Sequence, residues 1–282
     1  MKIISDYHRQ EIKRTWCPGC GNFGIESALK LALAGHEVDP GKAIVVGGIG
    51  CGGLMPYWVK TNTFIGLHGR ALPAAIGMGL TDPGARIIVM AGDGDAYGIG
   101  LGHLAHAFRR NQKLVYLVSN NGVYGLTKGQ ASPTADLGTL SPSTPDGTEL
   151  HSLDPILLEL ALGGTFVARG FAGDIQHLSS LIAKAMAHEG FAFIDILQPC
   201  VSYHKKMCDP SYAQSLVKID ESHNPLDLGS ALEIAKGPQG KKTIGLFYQQ
   251  PAGQAIEKNA RLFAGERPVD FVLSLIDSAK VR

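Results

Sequence analysis

The chain carries no excess of charge of either sign. Its 26 Lys and Arg offset 25 Asp and Glu, for a formal net charge of +1, and charged residues make up only 18% of its 282 residues. A nucleic-acid or membrane-surface protein needs a basic face, so neither partner is expected. No apolar run reads as a membrane span. The longest uncharged run, 43–59, holds five glycines and Pro56, which a lipid-exposed helix does not tolerate. The opening MKIISDYHRQEIKR mixes both charges and lacks an apolar core, so no secretory signal is expected and the expected compartment is the reducing cytoplasm. Five cysteines, an odd number, suit metal ligands or buried thiols there better than a disulfide framework. There is no internal repeat.

What is abundant is glycine, 36 residues, nearly twice the average of roughly 7%. Hydrophobic residues reach 45%, enough for a sizeable core. Short apolar runs at 43–49, 86–91, 113–119, 165–169 and 191–197 read as buried parallel strands. Helical stretches fall between them, at about 70–80, 97–110, 154–162 (capped by Asp154-Pro155) and 174–188. An earlier helix is expected from Asn22, as N-cap, to Gly35. Strand alternating with helix predicts an α/β fold with a mainly parallel sheet, whose ligands bind beyond the carboxyl ends of its strands. Residues 124–153 show no periodicity, and a loop that long is expected to be functional or disordered. The end of the chain is less regular, with one strand candidate in TIGLFY and a helix expected after Pro268.

Two constellations sit after those strands. Gly92-Asp93-Gly94-Asp95 follows RIIVMA, and Asn120-Asn121 follows KLVYLVS, 28 residues separating Asp93 from Asn121. A right-handed βαβ unit of that size brings both to one sheet edge. The Asp93 carboxylate and Asn121 amide oxygen are hard donors suited to Mg²⁺ with a bound diphosphate. A helix opening near Tyr97 would add free N–H groups. A lone Asp-Gly is ordinarily a turn; the pairing with Asn121 is what raises it above that.

The second constellation is Cys17-Pro18-Gly19-Cys20, with Cys51, Cys200 and Cys208. A thioredoxin-type site would need a buried strand directly before the first cysteine, and residues 5–15 are polar. Cys51 and Cys200 each close a strand, so four thiolates could converge at one edge, holding zinc or an iron–sulfur cluster; spacing alone does not choose. Cys208 lies in a more flexible segment, which disfavours it as the fourth ligand.

The Asp93–Asn121 spacing resembles the thiamine diphosphate motif. Together with Trp16-Cys17-Pro18-Gly19-Cys20-Gly21, Gly48-Ile49-Gly50-Cys51, His68-Gly69-Arg70-Ala71, GDGDAYGIGLGH and NNGVYGLTKGQASPT, it resembles the β subunit of the 2-oxoacid:ferredoxin oxidoreductases over residues 16 to about 204. The resemblance implies a three-layer thiamine diphosphate-binding fold with an irregular C-terminal tail, split into a cofactor domain, 1–204, and an extension, 205–282, packing on that domain or on a partner. It implies Mg²⁺ held by Asp93, Asn121 and the carbonyl of Val123. A 4Fe-4S cluster would be held by Cys17, Cys20, Cys51 and Cys200. The thiamine diphosphate cradle would comprise Gly50, Cys51, His68, Gly92, Asp93, Gly94, Asp95, Asn121, Val123, Tyr124, Gly125, Leu126 and Thr127. His68, Arg70 and Lys128 become candidate catalytic residues, each otherwise a solvated loop residue.

The activity implied is oxidative decarboxylation of a 2-oxoacid, best matched to 2-oxoglutarate, to an acyl-coenzyme A and carbon dioxide, with electrons leaving singly through the cluster to ferredoxin. Pyruvate or another 2-oxoacid is the alternative substrate. Thiamine enzymes build their site from two domains, and the 82 residues after Cys200 are too few for the second, so an obligate α subunit is expected to complete it. Leu54 departs from the family's usual Lys or Arg three residues after the third cluster cysteine. Rival readings are a non-oxidative split 2-oxoacid decarboxylase and a zinc-stabilised interaction module.

Overall fold

The computed structural model describes residues 1–82, 84–238 and 241–250. Its centre is an eight-stranded sheet. In chain order the strands are β1 (Ala43–Gly47), β2 (Asn62–Ile65), β3 (Arg86–Gly92), β4 (Leu114–Asn120), β5 (Val123–Tyr124), β6 (Gln130–Ala131), β7 (Phe166–Phe171), β8 (Phe191–Leu197), β9 (Val217–Lys218) and β10 (Thr243–Gln249). The sheet order is β2-β1-β3-β4-β8-β7-β10-β9, and β5 pairs with β6 as a separate short hairpin. Every pair in the sheet is parallel except β10 with β7.

The helices are α1 (Asn22–Gly35), α2 (Ala71–Thr81), α3 (Leu101–Arg110), α4 (Pro155–Ala161), α5 (Ile175–Ala187), α6 (Pro210–Ser215) and α7 (Leu228–Lys236). Neighbouring strand residues point to opposite faces, and both faces are apolar. Val45, Ile88, Leu117 and Ile194 pack with Ile25 and Leu29 of α1 and Leu178 and Ile182 of α5. Val46, Val89, Val118 and Phe193 pack instead with side chains of α2, α3, α4 and α7. Three layers result, which is why these strands read as unbroken apolar runs.

Several expectations change at their edges. Asn22 does not cap α1; Gly21 occupies that place, and the buried Asn22 Oδ1 accepts the Ser119 hydroxyl at 2.9 Å. The helix expected from Tyr97 begins at Gly94, as a π turn over Gly94–Ile99 ahead of α3, closed by Gly100 N–H donating to the Asp95 carbonyl at 2.9 Å. Glycines permit this wide turn, because a methyl at Gly94 would stand 2.1 Å from the Tyr124 ring. β2 has no apolar alternation because it is an exposed edge strand. TIGLFY forms β10, and with β9 it continues the main sheet; the helix expected after Pro268 lies outside the described residues.

One buried ion pair braces β7 to β8. Arg169 donates through Nε to Asp195 Oδ2 at 2.9 Å and through Nη2 to Asp154 Oδ1 at 3.1 Å, and Asp154 also caps α4. Asp195 Oδ1 takes Tyr97 Oη and Asn120 Nδ2, each at 2.9 Å. Removing the cation would leave a fully buried carboxylate without its partner. Arg169→Met should therefore cost about 3–5 kcal/mol of unfolding free energy in urea denaturation; an unchanged midpoint would show that the pair contributes nothing.

Candidate functional site

Strands β1, β3, β4 and β8 are consecutive in the sheet and parallel. Their carboxyl ends therefore release four loops at one edge, bearing Cys51, Asp93, Asn121 and Cys200 in turn. Cys17 and Cys20 join them from the turn before α1, where Gly21 N–H donates to the Pro199 carbonyl at 3.0 Å. Trp16 Nε1 donates to the Cys51 carbonyl at 2.7 Å, pinning the first cysteine segment to the third cysteine.

A cleft at this edge encloses 490 Å³ of space open to solvent, lined by Ile49 to Gly52, His68, Gly92 to Asp95, Ser119, Asn121 and Val123 to Thr127. Every residue expected in the cradle lies on it. Arg70 and Lys128 do not: both are exposed, and the Arg70 guanidinium turns to the carbonyls of Gly69 and Ile99. Leu54 packs against the apolar core, so position 54 does not face the cleft. A larger hollow lies beyond Asn120 and Thr134. Its Arg169 and Lys206 are paired with Asp154, Asp195 and Asp136, and the donors of the Asp93–Asn121 constellation converge on the smaller cleft.

Asp93 is 2% exposed. Its Oδ2 accepts Ser132 Oγ at 2.5 Å, Thr134 Oγ1 at 2.7 Å and Gly122 N–H at 2.9 Å. Burial pushes its carboxyl above the usual range, against the pull of those donors, and among the described residues no cation pairs with it. Asn121 Oδ1 accepts Val123 N–H at 3.0 Å, and the Asn121 carbonyl takes His204 Nδ1–H at 2.5 Å. The donor set fits Mg²⁺: a buried anion without a counter-ion, a nearby amide oxygen, and few enough protein oxygens to leave places for phosphate. The N–H groups of the turn opening at Gly94 sit beside it, as an anion requires.

On the other wall, Asp95 Oδ1 takes Gly69 N–H at 2.7 Å and lies 2.8 Å from His68 Nδ1, off the line of a hydrogen bond. Tyr124 Oη donates to the Gly94 carbonyl at 3.2 Å.

Cys51 lines the same cleft, and Cys200 lies beside it across Gly125. A methyl at Gly125 would stand 3.8 Å from Cys51 Sγ and 4.0 Å from Cys200 Sγ. Burial pushes the Cys20 thiol up to about 11, with the other three thiols adding to the shift, and it also raises Cys51. Donors nevertheless reach the sulfurs: Ser202 Oγ lies 3.2 Å from Cys17 Sγ, and Gln198 Nε2 lies 3.4 Å from Cys20 Sγ. Among the described residues no three His, Cys, Asp or Glu side chains gather on a single ion. The four thiols are neighbours, two of them with donors on sulfur, a donor set of the kind that holds zinc or an iron–sulfur cluster. Cys208 is exposed in the turn Lys205–Cys208 and does not line the cleft.

Ser132, Thr134, Gln198 and His204 carried no expected role. The first two lie in the ASPT stretch and Gln198 directly precedes Pro199-Cys200, but what each touches is set by tertiary contacts and has no periodic signal.

Residues 48–196 match the family model described as thiamine pyrophosphate enzyme, C-terminal TPP binding domain, and residues 200–264 match the model for the C-terminal part of the pyruvate ferredoxin oxidoreductase beta chain. The chain is 45% identical over 247 residues to the 2-oxoacid:ferredoxin oxidoreductase subunit beta of Saccharolobus solfataricus, covering 83% of this chain and 81% of that one. It is 30% identical to the 2-oxoglutarate synthase subunit KorB of Methanocaldococcus jannaschii, over 91% and 95% of the two chains. A solved structure of 2-oxoglutarate:ferredoxin oxidoreductase from Magnetococcus marinus, with 2-oxoglutarate, coenzyme A and succinyl-CoA bound, superposes with a TM-score of 0.90 at 37% identity, covering 98% of this chain and 96% of that one. With a thiamine diphosphate-binding domain at its centre and relatives matched over most of its length, the chain belongs to the 2-oxoacid:ferredoxin oxidoreductases, as a β subunit.

Proposed function

We propose that this subunit, with its α partner, oxidatively decarboxylates a 2-oxoacid, 2-oxoglutarate first, to an acyl-coenzyme A and carbon dioxide, passing the electrons through a 4Fe-4S cluster to ferredoxin in the cytoplasm. The observation that carries the proposal is the shared wall: the loop bearing Asn121 and Val123 continues to Gly125, which faces both Cys51 and Cys200. A donor of paired electrons and a one-electron acceptor must lie close together, and this wall would hold both.

Asp93, Asn121 and the Val123 carbonyl would hold Mg²⁺. The N–H groups opening the turn at Gly94 would receive the diphosphate, and Gly50, Gly92, Tyr124, Leu126 and Thr127 would close the cradle. Cys17, Cys20, Cys51 and Cys200 would hold the cluster. Bound thiamine diphosphate supplies the carbanion chemistry that decarboxylation of a 2-oxoacid requires. His68, beside Asp95 and facing the cleft, is the chain's candidate for contact with diphosphate or substrate; Arg70 and Lys128 would serve only at the partner interface. The partner would supply the remaining half of the cofactor site and most coenzyme A contacts.

The Magnetococcus relative's bound 2-oxoglutarate and succinyl-CoA support the substrate choice. The pyruvate-type name of the family matched by residues 200–264 keeps pyruvate as the second reading. Screening 2-oxoacids for coenzyme A-dependent viologen reduction by the anaerobically purified complex tests both. Preference for 2-oxoglutarate supports the first reading, and preference for pyruvate replaces it with the second. Colourless, zinc-loaded protein that decarboxylates without reducing the dye would establish the non-oxidative alternative.

Asp93→Ala should abolish Mg²⁺-dependent thiamine diphosphate binding while iron content stays full, as titration calorimetry and iron analysis would report. Unchanged affinity would remove Asp93 from the metal site. Cys200→Ser should lose or strongly perturb the cluster, whereas Cys208→Ser should keep full iron and dye reduction. The reverse pattern would exchange the fourth ligand.

A further inference from the structure

Gln198 is the first residue beyond β8 and is 1% exposed. Its backbone N–H donates to the Asn120 carbonyl at 2.8 Å, fixing the start of the side chain to the end of β4. The side-chain amide faces both constellations. Its Oε1 accepts Asn121 Nδ2 at 2.8 Å and lies 3.4 Å from Ser119 Oγ. Its Nε2 donates to the Pro199 carbonyl at 2.5 Å and to Cys20 Sγ at 3.4 Å.

Two backbone groups settle which way both amides turn. Val123 N–H can only donate, so the atom it meets is Asn121 Oδ1 and the amide nitrogen must face Gln198. The Pro199 carbonyl can only accept, so the atom it meets is Gln198 Nε2, leaving Oε1 for Asn121. A primary amide has two N–H donors and an oxygen with two lone pairs; here both donors and one lone pair are engaged, while the single Ser119 proton goes to Asn22 Oδ1 at 2.9 Å. The orientation is over-determined, and turning either amide would break bonds at both ends.

We infer that Gln198 is a positioning residue with two effects: its Oε1 holds Asn121 with Oδ1 toward the metal site, and its Nε2–H sets the reduction potential of the cluster through Cys20. The inference rests on the metal and cluster assignments proposed above. Partners behind a metal ligand orient it and tune its affinity. A donor on a cluster sulfur favours the more negative, reduced cluster and so raises its potential. Gln198 reaches one ligand of each kind with a single rigid group.

The test uses the complete complex, purified anaerobically, carrying Gln198→Glu or Gln198→Met. Glutamate keeps an acceptor for Asn121 Nδ2 but places a negative charge, with no donor, beside Cys20. Methionine keeps neither function. Redox titration followed by electron paramagnetic resonance should show a more negative cluster potential in both variants, the larger shift with glutamate. Calorimetry with thiamine diphosphate and Mg²⁺ should show near wild-type affinity for glutamate and about 10- to 100-fold weaker binding for methionine. Unchanged potentials at full iron content would overturn the link to Cys20, and equal affinities would overturn the link to Asn121. Wild-type complex without iron would instead overturn the cluster assignment, with the affinity comparison still deciding the role toward Asn121.

Discussion

The site depends on main-chain pairing of β1, β3, β4 and β8 as parallel neighbours. Parallel strands deliver all their carboxyl ends to one edge, so Cys51, Asp93, Asn121 and Cys200, far apart in the chain, leave the sheet side by side. A one-residue slip between two of these strands would turn inward-facing side chains outward on both apolar faces. The same packing that fixes the core therefore fixes the separation of the cofactor loop from the cysteine loops. The contacts of Trp16 with the Cys51 carbonyl and of Gly21 with that of Pro199 then bring in the remaining two cysteines.

What the sheet gathers is electrostatically incomplete by itself. Burial raises Asp93, Asp95, Cys20 and Cys51 above their ordinary ranges. Hydroxyl and N–H donors relieve Asp93 without neutralising it. A bound cation reverses such shifts, since it favours the ionised carboxylate and thiolate. The chain thus holds ionisable donors in a desolvated place, where positive charge from Mg²⁺ and iron would displace their protons and be bound in turn. Gln198 lies on the boundary between the two donor sets, and His204, bridged to Cys200, holds the Asn121 carbonyl from the other side.

The central strands were legible because residues buried on both faces leave unbroken apolar runs. The strand-end positions of Asp93, Asn121, Cys51 and Cys200 followed from those runs and from the βαβ interval. β2 was not legible, since an exposed edge strand carries no apolar pattern. The π turn at Gly94 was hidden because wide and regular helical turns share one apolar period, and the Tyr124 contact that covers it comes from thirty residues away in sequence. Leu54 was judged by its distance in sequence from Cys51, but the turn Gly52–Tyr57 sets it, half-buried, against the core. Arg70 was grouped with His68 by adjacency; the backbone there sends one side chain to the cleft and the other to solvent.

The central claim is that the cleft and the four cysteines form one unit in which the cluster takes electrons from substrate oxidation. Freeze-quenched electron paramagnetic resonance of the anaerobic complex, mixed with 2-oxoglutarate and coenzyme A, measures this directly. The account predicts a reduced 4Fe-4S signal that appears only when thiamine diphosphate and Mg²⁺ are present. Carbon dioxide released at full rate with the cluster remaining silent would contradict it.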